Sequence, residues 1–183
     1  RIENWRVWHQ SMGQGGYILD NATAYNTSAT TLINTVNSTI FNVGSDFSVN
    51  GAFPIVAFCW AEKQGYSKFG KYKGNGANNA GPFIYTGFKA RFIMIKSTTA
   101  TGATYLWDTK RSPFNGMDDY INAAESDAEG TNGILTIDAL SNGFKVMNTG
   151  TNNGTNQNGT DYIFMAWAEK PFVTSTGTPT TAR

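Results

Sequence analysis

The chain has 183 residues, room for one large or two small domains. Its formal net charge is +1 with both signs interspersed, so no basic stripe exists to hold nucleic acid. No apolar run approaches the roughly 20 residues that cross a bilayer, which excludes helical membrane insertion. Aromatics at 14%, charged residues at only 15% and 20 glycines among many Asn and Thr describe an all-β chain rich in turns.

Short runs of aromatic and β-branched residues predict strands over 5–9, 17–20, 38–43, 54–60, 66–72, 81–86, 90–96, 104–108, 134–137, 144–147 and 161–167. The runs at 54–60 and 161–167 are continuously apolar, as in central strands covered on both faces or meeting another subunit. By contrast, 90–96 alternates, with Arg91, Ile93 and Ile95 on one face and Phe92, Met94 and Lys96 on the other. "YKGNGANNAG" at 72–81 carries the Asn-Gly of a tight hairpin turn. "GMDDYINAAESDAEG" at 116–130 reads as strand and turn, with a single helical turn as the alternative. "NTGTNNGTNQNGTD" at 148–161 reads as an exposed hairpin loop with little apolar anchoring, and 173–183 as a loosely held polar tail.

Four blocks recur in the same order. Trp8 and Trp107 lie 99 residues apart, Tyr17 and Tyr120 lie 103 apart, Phe41 and Phe144 lie 103 apart, and Trp60 and Trp167 lie 107 apart. The last pair sits in "PIVAFCWAEK" (54–63) and "DYIFMAWAEK" (161–170). Such self-similarity predicts an internal duplication. Residues 65–103 precede Trp107 with no counterpart ahead of Trp8, so the first copy is expected to lack its opening part.

The expected fold is therefore an all-β, jelly-roll-like β-sandwich with internal duplication. Residues 1–64 form the C-terminal half of a first β-unit, 65–172 a complete second unit, and 173–183 the tail. Two consecutive small β-domains are the alternative. The expected core comprises Phe41, Ile55, Ala57, Cys59, Phe92, Met94, Trp107, Phe144, Ile163, Met165 and Trp167.

No catalytic constellation emerges. His9 is the one histidine and reads as structural or surface polar, and one Cys with one His excludes an ordinary zinc site. Cys59, between Phe58 and Trp60, reads as a buried structural thiol. Glycosidases need two facing carboxylates. Glu62 and Glu169 are repeat-equivalent and read instead as polar strand ends. Asp118, Asp119, Glu125, Asp127 and Glu129 read as a solvated acidic loop, with calcium binding as the alternative. Lys71 and Lys73 lie among glycines without the spacing of a P-loop. Sequons at Asn21, Asn26, Asn37, Asn153 and Asn158 follow from an Asn/Thr-rich composition. Tyr25, Tyr66, Tyr72 and Trp5 are the aromatics considered for stacking on sugar rings, and no cofactor is expected.

"NWRVWHQSMG" (4–13), "VAFCWAEKQGYSKFGKYKGNG" (56–76), "FIYTGFKARFIMIK" (83–96), "ALSNGFKV" (139–146), "YIFMAWAEKPF" (162–172) and the terminal "TAR" together cover almost the whole chain. This set resembles an uncharacterised repeat domain of marine bacteriophage virion proteins, frequent in phages of cyanobacteria and other ocean bacteria. The resemblance implies a virion location and a tail fibre, spike or tail-tip appendage that contributes to host-surface attachment. It carries no catalytic residues. Its partners would be further copies of the chain, as a homo-oligomer such as a trimer, other virion proteins, and a host surface glycan or protein. Tyr72, Asn75, Asn153, Asn156 and Asn158, in the two turn-rich loops, are the expected receptor contacts. A head decoration protein is the main alternative reading, and a glycan-cleaving enzyme a further one.

Overall fold

The computed structural model describes residues 5–12, 18–19, 32–99, 102–131, 133–148 and 154–170. Tyr25, Asn21, Asn26, Asn153 and the tail 173–183 lie outside the described residues.

The first part of the chain forms two small hairpins. β1 (Arg6–Val7) pairs with β2 (Ile18–Leu19), with a 3-10 turn at Gln10–Met12 between them. β3 (Ile33–Val36) pairs with β4 (Phe41–Val43) around a turn in which Asn37 Oδ1 accepts from the backbone of Thr39 and Ile40. α1 (Phe47–Asn50) is one helical turn, started by Asp46, whose carboxylate accepts from the Ser48 N–H at 2.8 Å.

The rest is a β-sandwich-like body. β5 (Ser67–Lys73), β6 (Phe83–Tyr85), β7 (Ala90–Ser97), β8 (Thr104–Asp108), β9 (Asp119–Asn122), β10 (Gly130–Thr131), β11 (Ile137–Leu140), β12 (Gly143–Val146) and β13 (Asp161–Ala168) follow in order. They make an antiparallel six-stranded sheet, β10-β9-β8-β7-β13-β5, and a three-stranded sheet, β11-β12-β6. The chain is all-β, as its composition predicts.

Period-two side-chain alternation turns one face of each sheet inward. Ile93, Ile95, Trp107, Phe164 and Ala166 from the large sheet meet Ile84, Ile137, Ala139, Phe144 and Val146 from the small one. The Phe144 and Phe164 rings meet edge to face, 5.5 Å between centroids. Phe92, Met94, Met165 and Trp167, expected in this core, lie instead on the outer face of the large sheet and are half-buried. There Trp167 packs edge-on against Phe69, Phe92 and Trp60.

β13 is central, hydrogen-bonded to β5 on one side and β7 on the other. This fits its continuously apolar run. Residues 54–60 carry a similarly apolar run, identical to it only at the tryptophan, but form no strand. Ile55, Val56, Ala57, Phe58, Cys59 and Trp60 are all exposed, so Ile55, Ala57 and Cys59 are not core, and Cys59 is not a buried thiol. The physical reason is pairing: an apolar strand is buried only where neighbours flank it, and among the described residues none flanks 54–60. Phe41 is exposed for the same reason, with no second sheet above it among the described residues.

The pairings of the two halves nevertheless correspond. Arg6 opposes Leu19 and Val7 opposes Ile18, as Tyr105 opposes Asn122 and Leu106 opposes Ile121. Val36 opposes Phe41 and Thr35 opposes Asn42, as Ala139 opposes Phe144 and Asp138 opposes Lys145. A bulge between Ile33 and Thr35 absorbs one residue, and Ile33 then opposes Val43 as Ile137 opposes Val146.

His9 ties the first part to the second. It is 5% exposed, its ring lies edge-on to Phe69, and its Nε2 lies 3.3 Å from the Phe164 carbonyl. The Ser11 N–H donates to Nδ1, so Nδ1 is unprotonated and Nε2 carries the hydrogen that Phe164 accepts. Gln10 adds a bond to the Phe69 carbonyl at 3.0 Å.

Burial pushes the His9 pKa below its ordinary 6.5, opposed in part by the Phe164 carbonyl. The unfolded chain therefore takes up the proton first as pH falls. The stabilisation is present above about pH 6.5 and is lost below it, down to the folded-state value. Urea unfolding between pH 7.5 and 5.5 should show stability dropping on acidification. His9→Gln should flatten that slope; an unchanged slope would exclude His9 as its source.

Candidate functional site

The expected receptor contacts fall at one end of the large sheet, where the loop after β5 meets the loop before β13. Gly74 and Gly76 donate to the carbonyls of Thr160 and Asn156, and Gly159 donates back to Gly74. A β-carbon on Gly74 would run into the Gln157 carbonyl, so the approach needs glycine there. Asn156 is fully buried. Its Oδ1 accepts from the Asn75 N–H at 3.0 Å, and its Nδ2 donates to Asn75 Oδ1 at 3.0 Å and the Ala77 carbonyl at 3.1 Å. Thr155, also buried, donates to Asn148 Oδ1 at 2.8 Å.

Tyr72 is half-buried beside them. Its ring stacks on Tyr162 at 5.0 Å, and its hydroxyl donates to the Thr155 carbonyl at 2.7 Å. Burial, with the neighbouring Tyr162 adding to it, holds its pKa well above the ordinary value. The structure thus brings Tyr72, Asn75 and Asn156 together, but as internal ties between loops. Asn75 and Asn158 remain exposed. The described part of 148–161 is anchored by polar contacts, and Thr155 and Asn156 are buried where an exposed loop is expected. Hydropathy does not register an asparagine that replaces backbone partners.

A second feature carries more accessible chemistry. A shallow cleft of about 350 Å³ is lined by Glu62, Gln64, Gly65, Ser67, Lys68, Tyr85, Thr86 and Gly87. It forms where the turn entering β5 passes the end of β6. The Lys63 and Ser67 backbones pair there, and Ser67 Oγ donates to the Ala61 carbonyl at 2.9 Å. Gly87 has φ +84°, which turns the chain sharply beneath Tyr85. The Tyr85 ring is 64% exposed, and Tyr66 is exposed as well.

Glu62 is the one carboxylate lining the cleft, and Lys68 pairs with it at 2.6 Å. Its repeat counterpart Glu169 pairs with Lys89 at 3.1 Å. Both glutamates therefore pair with lysines, but only Glu169 follows a strand, β13. Tyr85 and Gln64 were not singled out in the sequence. In the "FIY" strand the alternation turns Ile84 inward and leaves Phe83 and Tyr85 on the outer face of the small sheet.

One carboxylate of the acidic segment is satisfied by hydroxyls. Asp119 accepts from Thr131 Oγ1 at 2.6 Å and Ser112 Oγ at 2.8 Å, which together lower its pKa. Glu129 pairs with Arg111. Among the described residues, no three His, Cys, Asp or Glu side chains converge as a metal site would require. Among the same residues, no helix is long and apolar enough to cross a membrane.

No curated protein and no solved structure matches the chain. A family model does, over residues 1–171, spanning both the small hairpins and the sandwich-like body. The chain belongs to the family described as a domain of unknown function, DUF7483.

Proposed function

We propose that the chain is a structural component of a bacteriophage virion, in a tail fibre, spike or tail-tip appendage that contributes to host-surface attachment. The observation that carries this reading is the cleft beside β5 and β6. An exposed tyrosine there stands next to an amide, a hydroxyl and a Glu–Lys pair. Sugar rings are recognised by that combination: an aromatic face for the C–H side and convergent polar groups for the hydroxyls. The motif resemblance over almost the whole chain supports the virion setting. In this reading the chain assembles with copies of itself, as a trimer, and with other virion proteins.

Purified protein should bind host cells or their envelope glycan. Tyr85→Ala should weaken that binding about tenfold, the effect of losing roughly 1.4 kcal/mol of contact. Absence of binding at high concentration, with immunogold labelling of the head, would overturn attachment.

A head decoration role is the second reading. The exposed apolar residues 55–60 favour it, because large exposed apolar patches serve protein–protein contact. The location of the chain in a virion reconstruction separates the two.

A further inference from the structure

We propose that residues 54–61 are an acceptor strand, open on both edges, that pairs with two strands of the β5 and β7 pattern supplied by another β-unit of this family. The partner is defined by β13. Aligned without gaps, 54–61 takes the place of Asp161–Ala168, apolar opposite apolar from 55 onward, with an identical Trp-Ala end that runs on into the shared Glu-Lys. β13 is paired along β5 from Asp161 to Trp167 and along β7 from Tyr162 to Ala168. The other pairings of the first half reproduce those of the second. The two flanking strands have no counterpart among the described residues of the first half, and neither do β6 and β10.

The burial of matched residues reports the same gap. Val43 is 39% exposed and its counterpart Val146 is fully buried. Cys59 is exposed, whereas its counterpart Ala166 is fully buried between β5 and β7. Trp60 is 59% exposed and is held by Trp167 on one side and Phe58 on the other. No backbone bond joins 54–60 to a neighbouring strand among the described residues. Such a segment is a template for strand addition.

Shape favours another unit over a second copy of this chain. In β5, Gly70 makes room for Phe164, whose ring lies 2.7 Å from where a β-carbon would stand. The residue matching Phe164 in the acceptor is Ala57. A β5 strand with Gly70 opposite Ala57 would leave a void, so the fitting donor carries a larger side chain there. The β5 and β7 strands of a second copy are, besides, already paired with its own β13.

Cys59, the one cysteine, reports occupancy directly. In the native chain a thiol reagent should label it at nearly the rate of the unfolded chain. The test appends a second copy of residues 65–103 ahead of Arg1, with Gly70 or with Gly70→Leu in the added segment. A separate polypeptide of residues 65–99, with the same two residues at position 70, is added in trans to the unaltered chain. Labelling should slow about 100-fold or more when it requires a paired strand to open, and further with leucine. Unchanged labelling in both formats overturns the proposal, as does protection that appears with chain concentration alone, which would assign the edge to self-association. The readout is independent of host binding, so it stands or falls separately from the attachment reading.

Discussion

Phe144→Ala is expected to destabilise the protein by about 3–5 kcal/mol, and Phe41→Ala by less than about 1 kcal/mol. The two residues hold equivalent register positions, Phe144 opposite Ala139 and Phe41 opposite Val36. Their surroundings differ. Phe144 is fully buried and faces Phe164 across the sandwich, so truncation removes a ring from water-free packing and leaves a cavity. Phe41 is 41% exposed, and water already wets the face a second sheet would cover. Urea unfolding followed by tryptophan fluorescence measures both, with the slope expected to stay constant. Equal losses would mean that Phe41 is packed as tightly as its counterpart, against the structure described.

Asn156→Ala is expected to cost about 2–3 kcal/mol, while Asn158→Ala changes stability by less than about 0.5 kcal/mol. Truncating Asn156 removes one acceptor and two donor contacts at once. It leaves the Asn75 amide and the Ala77 carbonyl to find water beside a buried loop. Asn158 is exposed and offers its side chain to solvent. Unfolding curves separate the two. Binding assays on the same variants separate structure from recognition: weaker host binding by the stable Asn158→Ala protein would make this loop end part of the receptor surface.

These pairs show which properties are local. β8 appears at the predicted 104–108, and β7 and β13 each extend one residue beyond their predicted runs, because their aromatic and β-branched residues favour a pleated strand wherever neighbours exist. The alternation in 90–96 correctly separated Ile93 and Ile95 from Phe92 and Met94. It did not say which set faces the second sheet, since both are apolar. β3, in a polar Asn/Thr context, was missed, and β11 begins at Ile137 rather than 134 because the chain first turns at Gly133, with φ +61°.

The site was less legible. Tyr72 and Asn156 were named as surface contacts and are internal ties. The cleft residue Tyr85 lies within the predicted strand 81–86, where the sequence does not mark it as exposed. Hydrogen-bond roles, and which face of a strand is covered, depend on what lies across the fold, and alternation alone fixes neither.

The sequence by itself determined the all-β class, the positions of most strands, the order of the recurring blocks and the absence of a disulfide framework from one cysteine. Those follow from composition and from side-chain preferences that act over a few residues. Only the tertiary structure decided that the two Trp-Ala-Glu-Lys segments differ in state, one a buried central strand and the other an exposed irregular run. The physical reason is that a strand's hydrogen bonds and burial come from its neighbours: two apolar runs with the same Trp-Ala-Glu-Lys end meet flanking strands at one place and, among the described residues, none at the other.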